Sequence, residues 1–325
     1  MFTMRFDMRV SDRSKASASQ LYAAALDMAE WGEANGCLMA VVSEHHGSAD
    51  GYLPSPLILA AALAGRTRKL AIQVAALIVP LHDPIRLAED MAVLDIVSGG
   101  RVSYVVAVGY REAEFAMFGR ELKARGRRMD ESLETLRRAW TGEPFEYQGR
   151  PVCVTPVPAT VGGPPMLMGG NTPVAVRRAA RFGLGFLAQG GDPSLRKIYT
   201  EECEKLGADP GICIIPPAGA PTSLFIAEDP DRAWAELGPY LLHDARMYAE
   251  WLGTAQSASL SKAATAESLR AERGAYQICT PEEAIALARA HGFLMLHPLC
   301  GGLPPELAQE TLDLLAKKVL PVLSA

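Results

Sequence analysis

The chain has 325 residues, 49% of them hydrophobic and 21% charged, with a formal net charge of -5. That balance belongs to an ordinary globular protein and excludes a disordered chain or a polycation built to hold nucleic acid. The longest uninterrupted apolar run, Leu57 to Gly65, is nine residues, against the roughly 20 of a spanning helix, and the start, with Arg5, Asp7 and Arg9, lacks the apolar core of a secretion signal.

In chain order, short apolar, β-branched segments alternate with helical patterns of about 12–20 residues, the signature of parallel strands joined by crossover helices. The first predicted strand is Met4 to Arg9, followed by a helix with Leu21, Ala25 and Met28 on one face. The second, Leu38 to Ser43, runs into Ser43-Glu44-His45-His46-Gly47. An imidazole at a strand's carboxyl end can serve as base or hydrogen-bond partner near neutral pH. Strand alternation lets only one of two adjacent histidines face a barrel axis, and both equally suit polar positions at a strand end.

The next helix, Ser55 to Ala64, has almost no polar face, so its outer side is expected to be covered by a second copy in a homodimer. A third strand, Leu70 to Val79, precedes a helix opened by Asp83-Pro84 and closed by Ser98-Gly99-Gly100. The fourth, Val102 to Val108, leads to Gly109-Tyr110-Arg111. Gly109 admits a flat ring, Tyr110 can stack on it, and Arg111 can neutralise an anion or pair with Glu114 along a helix. A helix carrying Met129, Leu133, Leu136 and Trp140 comes next, then a hairpin-like excursion from Pro144 to Pro165 with turn residues Gln148-Gly149.

The fifth strand, Pro165 to Met168, exits through Gly169-Gly170-Asn171-Thr172-Pro173 into the helix Val174 to Phe182. Two glycines, a capping Thr172 and Pro173 at the first helical position describe either an anion site on a helix start or a tight turn with a cap and no ligand. The sixth, Gly185 to Ala188, exits through Gln189-Gly190-Gly191; Ser223 to Ala227 and Phe293 to Leu296 complete eight strands, with Cys300-Gly301-Gly302 after the last. Four glycine-bearing exits on one face point to a large flat ligand. Only Gly253 to Gly274, rich in Ala and Ser, fits no unit, and it is expected to be a mobile insertion at the mouth. Six cysteines without a CxxC pair suggest neither a metal site nor a disulfide framework, and so a cytoplasmic setting. The pattern predicts one (β/α)8 TIM-barrel domain over residues 1–325.

Several segments resemble the bacterial-luciferase-like family of flavin monooxygenases and deazaflavin-dependent oxidoreductases over nearly the whole chain. They are Glu44-His45-His46, Pro84 to Asp90 continuing through Leu94-Asp95 to Ser98-Gly99-Gly100-Arg101, Gly109 to Gly119, and Gly169-Gly170-Asn171-Thr172 leading to Ala179-Ala180-Arg181-Phe182-Gly183. The resemblance implies a luciferase-like barrel holding reduced FMN, or 8-hydroxy-5-deazaflavin, at its carboxyl-terminal mouth. It implies a catalytic His45, with His46 beside it, and phosphate contacts from Asn171 and Thr172; the glycine-bearing exits add Gly109, Tyr110, Arg111, Gly169, Gly170, Gln189 and Gly190 as candidate cofactor contacts. Where the family carries a phosphate-binding Arg after the fourth strand, this chain has Val108, and Arg111 is the candidate replacement.

With FMN, the implied reaction is oxidation of an aldehyde, ketone, sulfonate or similar small substrate by O2, the reduced flavin coming from a separate reductase. With the deazaflavin it is hydride transfer to or from an organic substrate. A catalytically silent flavin-binding barrel is a third reading; His45, Asn171 and the complete set of units weigh against it.

Overall fold

The computed structural model describes residues 1–217, 220–253, 257 and 260–324. In chain order the elements are β1 Phe2–Phe6, α1 Ala18–Ala34, β2 Cys37–Val42, α2 Pro56–Arg66, β3 Ala71–Ile78, α3 Pro84–Ser98, β4 Val102–Ala107, α4 Glu112–Met117 and α5 Arg125–Ala139. A short pair, β5 Phe145–Tyr147 and β6 Arg150–Val152, is followed by β7 Met166–Gly170, α6 Pro173–Arg181, β8 Gly185–Ala188, α7 Ser194–Lys205 and β9 Cys213–Ile214. The chain ends with β10 Ser223–Ile226, α8 Pro230–Leu252, α9 Ala266–Glu272, β11 Tyr276–Cys279, α10 Pro281–His291, β12 Leu294–Leu296, α11 Pro305–Leu314 and α12 Leu320–Ser324.

Internal contacts divide the chain into two compact units. The first comprises Met1–Val41, Ser48–Leu53 and Pro216–Ala325. Its strands run β11, β10, β12, β1, β2. The pairings of β1 on β12, from Phe2 opposite Leu294, and of β10 on β11, from Ser223 opposite Tyr276, are parallel. The apolar face of α1 is the expected one, with Leu21, Ala25 and Met28 buried, and Ser17 and Gln20 cap its start reciprocally.

The second unit comprises Val42–Gly47 and Pro54–Ile215, with strands in the order β3, β4, β7, β8, β9, all parallel. Here β3 slips register against β4 between Ala75 and Leu77, the kind of irregularity that re-aims groups at a strand's end. The cap read at Asp83 is present, its carboxylate accepting from the N–H groups of Ile85 and Arg86, and Gly99 closes α3 in the left-handed conformation. The excursion after α5 is an antiparallel hairpin, Tyr147 opposite Arg150, with Gln148 and Gly149 both at positive φ, as two-residue hairpin turns require.

Two corrections concern elements. Eight strands were expected, but β9 and β11 are present as well among the described residues. With two residues β9 is too short to show a period, and the four residues of β11, Tyr-Gln-Ile-Cys, hold a single polar residue, too little to mark an alternation. The stretch Gly253 to Gly274 is not structureless where it is described. Thr265 and Ser268 form a capping box that starts α9, and Leu269 is buried; residues 254–256 and 258–259 lie outside the described residues. No helix among the described residues is long and apolar enough to cross a membrane.

Candidate active site

The site lies in the second unit, where the segment Val42–Gly47 meets the end of β3 and the residues that follow β4, with β7 and β8 next in the sheet. That segment is anchored by backbone and side chain: the Glu44 N–H donates to Ala76 O, and the Ser43 hydroxyl to Ala75 O. Both anchors fall on the register slip of β3, so the irregularity sets where the two histidines stand.

His45 and His46 are each 7% exposed, and each is held by a different buried carboxylate. His45 Nδ1 lies 2.9 Å from Glu114 Oε1. His46 Nε2 lies 2.8 Å from Glu44 Oε1, and His82 Nε2 reaches the same oxygen at 2.8 Å. Because an ionised carboxylate only accepts, the ring nitrogens are the donors. Edge-on rings complete the packing, Tyr110 against His45 at 5.9 Å and Phe118 against His46 at 4.7 Å between centroids.

Glu44 is 2% exposed and Glu114 1%, and burial alone would raise both acids. For Glu44 the hydrogen bonds from His46 and His82, the charge of His82 and the 2.6 Å bond from the Ile78 N–H outweigh burial and bring its pKa down to about 2. Burial likewise opposes charge on His82, yet its bond to Glu44 raises its pKa above the ordinary imidazole value. Glu114 is lowered against its burial by the bond and charge of His45, the His46 N–H and the Arg111 guanidinium. Arg111 NH1 donates to Glu114 Oε1 at 2.8 Å and to the His46 carbonyl at 2.8 Å. The i,i+3 pairing left open by the sequence is therefore formed, and it is part of the histidine cluster.

Gly109 sits at φ 75°, and a Cβ there would come within 2.7 Å of Ile78 Cγ2 and 3.0 Å of Phe115. Packing on these two side chains therefore already demands glycine. The other predicted residues form a neighbouring group. β7 pairs with β4 through Val106 and Met168, which puts Gly169 and Gly170 beside the end of β4. The Gln189 N–H donates to Gly170 O at 2.9 Å, and a Cβ on Gly190 would meet the Asn171 amide at 3.1 Å. Thr172 caps α6 through the Ala175 N–H, while Thr172, Pro173 and Val174 are exposed. An exposed helix start with glycines before it is a donor set that fits a phosphate. Thr172→Ala is expected to cost about 1 kcal/mol of stability through the lost cap, read by urea unfolding.

Sequence reasoning named His45, His46, Tyr110 and Arg111, which the fold brings together. It passed over Glu44, His82 and Glu114 as site residues. Glu44 stood in the histidine motif itself, but His82 and Glu114 had no local signal for their roles, since their partners lie 38 and 69 residues away.

Catalytic residues of α/β barrels gather at the carboxyl ends of parallel strands, where this cluster lies, so the chain has the plan of an α/β-barrel enzyme. A family model described as luciferase-like monooxygenase matches residues 4–294, and the chain belongs to that family. The chain is 27% identical over 180 residues to the oxygenase component of flavin-dependent trigonelline monooxygenase from Acinetobacter baylyi, covering 53% of this chain and 48% of that protein. It is 30% identical over 176 residues to 4-hydroxyprotoasukamycin monooxygenase from Streptomyces nodosus, covering 52% and 47%. The matched stretches span about half the length of the curated relatives. Among solved structures, monooxygenase RslO1 from Streptomyces bottropensis has a TM-score of 0.77 at 25% identity, covering 99% of each chain. The fold is the luciferase-like (β/α)8 barrel.

Proposed function

We propose that this protein is a flavin-dependent monooxygenase that uses reduced FMN and O2 to oxidise a small organic substrate. The observation that carries the reading is His45, held by a buried carboxylate at the strand ends of a luciferase-like chain. The trigonelline relative, named as flavin-dependent and as an oxygenase component, supports the flavin and a separate reductase that delivers it reduced.

The Gly169-Gly170-Asn171-Thr172 exit and the start of α6 would hold the cofactor phosphate, with Gln189 and Gly190 beside them. Gly109 and Tyr110 would flank the ring. Arg111 serves the site through Glu114 and the His46 carbonyl. Bound reduced FMN supplies the electron pair with which O2 is activated. His45 holds or moves a proton at Nε2, and His46, its Nε2–H committed to Glu44, keeps that part of the site in register. The test is turnover with reduced FMN under 18O2 across small aldehydes, ketones and sulfonates. A product carrying one labelled oxygen is expected; hydride transfer with the deazaflavin and no label in any product would overturn the reading.

Two further features belong to the proposal. Six free cysteines support a reducing, cytoplasmic setting. The exposed apolar residues of α2 and α3, with Ile58 at 73% and Val97 at 55% exposure beside Val93 and Ile96, support a homodimer through these helices. Light scattering at micromolar concentration should give twice the chain mass, and Ile58→Asp with Val97→Asp should give the chain mass. A wild-type monomer would rule the dimer out.

A further inference from the structure

Three donors converge on one oxygen of Glu114: His45 Nδ1 at 2.9 Å, the His46 N–H at 3.0 Å and Arg111 NH1 at 2.8 Å. The other oxygen, Oε2, is buried and accepts no hydrogen bond among the described residues. The carboxylate comes from α4 and reaches the histidine motif across 69 residues of chain.

We propose that Glu114 is a positioning residue that holds His45 in the Nδ1–H tautomer, so that Nε2 is the nitrogen that exchanges protons with the reacting molecule, and that Arg111 fixes Glu114 in that task. Neutral imidazole in water favours the Nε2–H form, so the Nδ1–H form that the Glu114 contact requires at His45 has to be imposed, and the hydrogen bond at Nδ1 imposes it. A wrong tautomer disables a catalytic histidine without moving it. The neighbouring His46 carries the opposite arrangement, with Nε2 donating to Glu44, so the two adjacent rings are set to opposite tautomers by two different acids.

The convergence on Oε1 also dictates what a conservative replacement does. In Glu114→Gln the His46 N–H and Arg111 both require an acceptor at the Oε1 position, so the amide must present its oxygen there and its NH2 at the Oε2 position. The Nδ1–H form of His45 is then retained. In Glu114→Ala the acceptor is gone and the tautomer reverts to that of free imidazole.

The inference about the tautomer stands on the geometry alone, and its catalytic consequence rests on the proposed function. Two readouts keep them apart. The first is 15N–1H correlation of the histidine rings in the flavin-free protein as a pH series, with His45 assigned by its loss in His45→Ala. Wild type and Glu114→Gln should show protonated Nδ1, and Glu114→Ala should show protonated Nε2, with the His46 ring unchanged. His45 keeping protonated Nδ1 in folded Glu114→Ala, or wild type showing protonated Nε2, would overturn the positioning role. The second readout is turnover: Glu114→Ala should lower kcat at least about tenfold, but not beyond the effect of His45→Ala, at unchanged FMN affinity, with partial rescue in Glu114→Gln. A switched tautomer with unaltered kcat would uphold the positioning and overturn the catalytic use of His45.

Discussion

Replacing His45 with alanine is expected to lower kcat by roughly 10²–10⁴-fold while leaving FMN affinity little changed. The ring is 7% exposed and its Nδ1 is committed to Glu114, and the proposed role is proton transfer at Nε2. The fold should survive the change, because Glu114 keeps its bonds from the His46 N–H and Arg111 and is not left as an unpaired buried charge. The proposed phosphate site is the group around Asn171 and Thr172, which His45→Ala does not touch. Single-turnover oxidation and flavin titration on the same variant decide the matter. Lost affinity with a preserved rate at saturating FMN would move His45 from the chemistry to the binding site.

Arg9→Ala is expected to destabilise the protein by about 3–5 kcal/mol at neutral pH, and by more if the three acids around it cannot relax. In the first unit Arg9 is 0% exposed; its Nε donates to Asp244 at 2.9 Å and its NH1 to Asp50 at 2.6 Å, with Asp7 at 3.7 Å. Its guanidinium lies 4.6 Å from the ring centres of both Tyr52 and Trp251, so alanine removes packing as well as charge. Burial would raise Asp7 and Asp50, but the charge and hydrogen bond of His297, Arg9 and the Gly301 N–H bring Asp7 down to about 2, and Asp50 is held well below its ordinary value against burial by His243 and Arg9.

Acids lowered by folding contribute stability above their unfolded pKa of about 3.9, lost as pH falls through their folded values. Without Arg9 part of that lowering is gone, so the stability gap between wild type and Arg9→Ala should narrow as pH falls from 4 towards about 2. Urea midpoints along that series are the measurement, and equal midpoints at neutral pH would show that the cluster contributes nothing net.

The contrast between these two residues shows what a linear reading can reach. His45 was legible because an apolar β-branched run ends just before it, and strand ends are where barrel chemistry collects. Asp83, Gly99 and Thr172 were legible because caps and left-handed closures are local physics. Arg9 read only as a charge near the start. Its partner Asp244 is 235 residues away on α8, and only the fold shows that three acids surround it. Glu114 was visible merely as a helical neighbour of Arg111; its bond to His45 depends on how the β3 irregularity places the segment after β2.

Anaerobic titration tests most directly whether the site takes reduced FMN, as proposed. Reduced FMN, reduced FAD and reduced 8-hydroxy-5-deazaflavin are each titrated into the purified protein, and absorbance and fluorescence are followed. Saturable binding of reduced FMN, tighter than of the other two and weakened by Thr172→Ala but not by His45→Ala, is the predicted result. Preferential binding of the deazaflavin, or no saturable binding of any of the three, would contradict it.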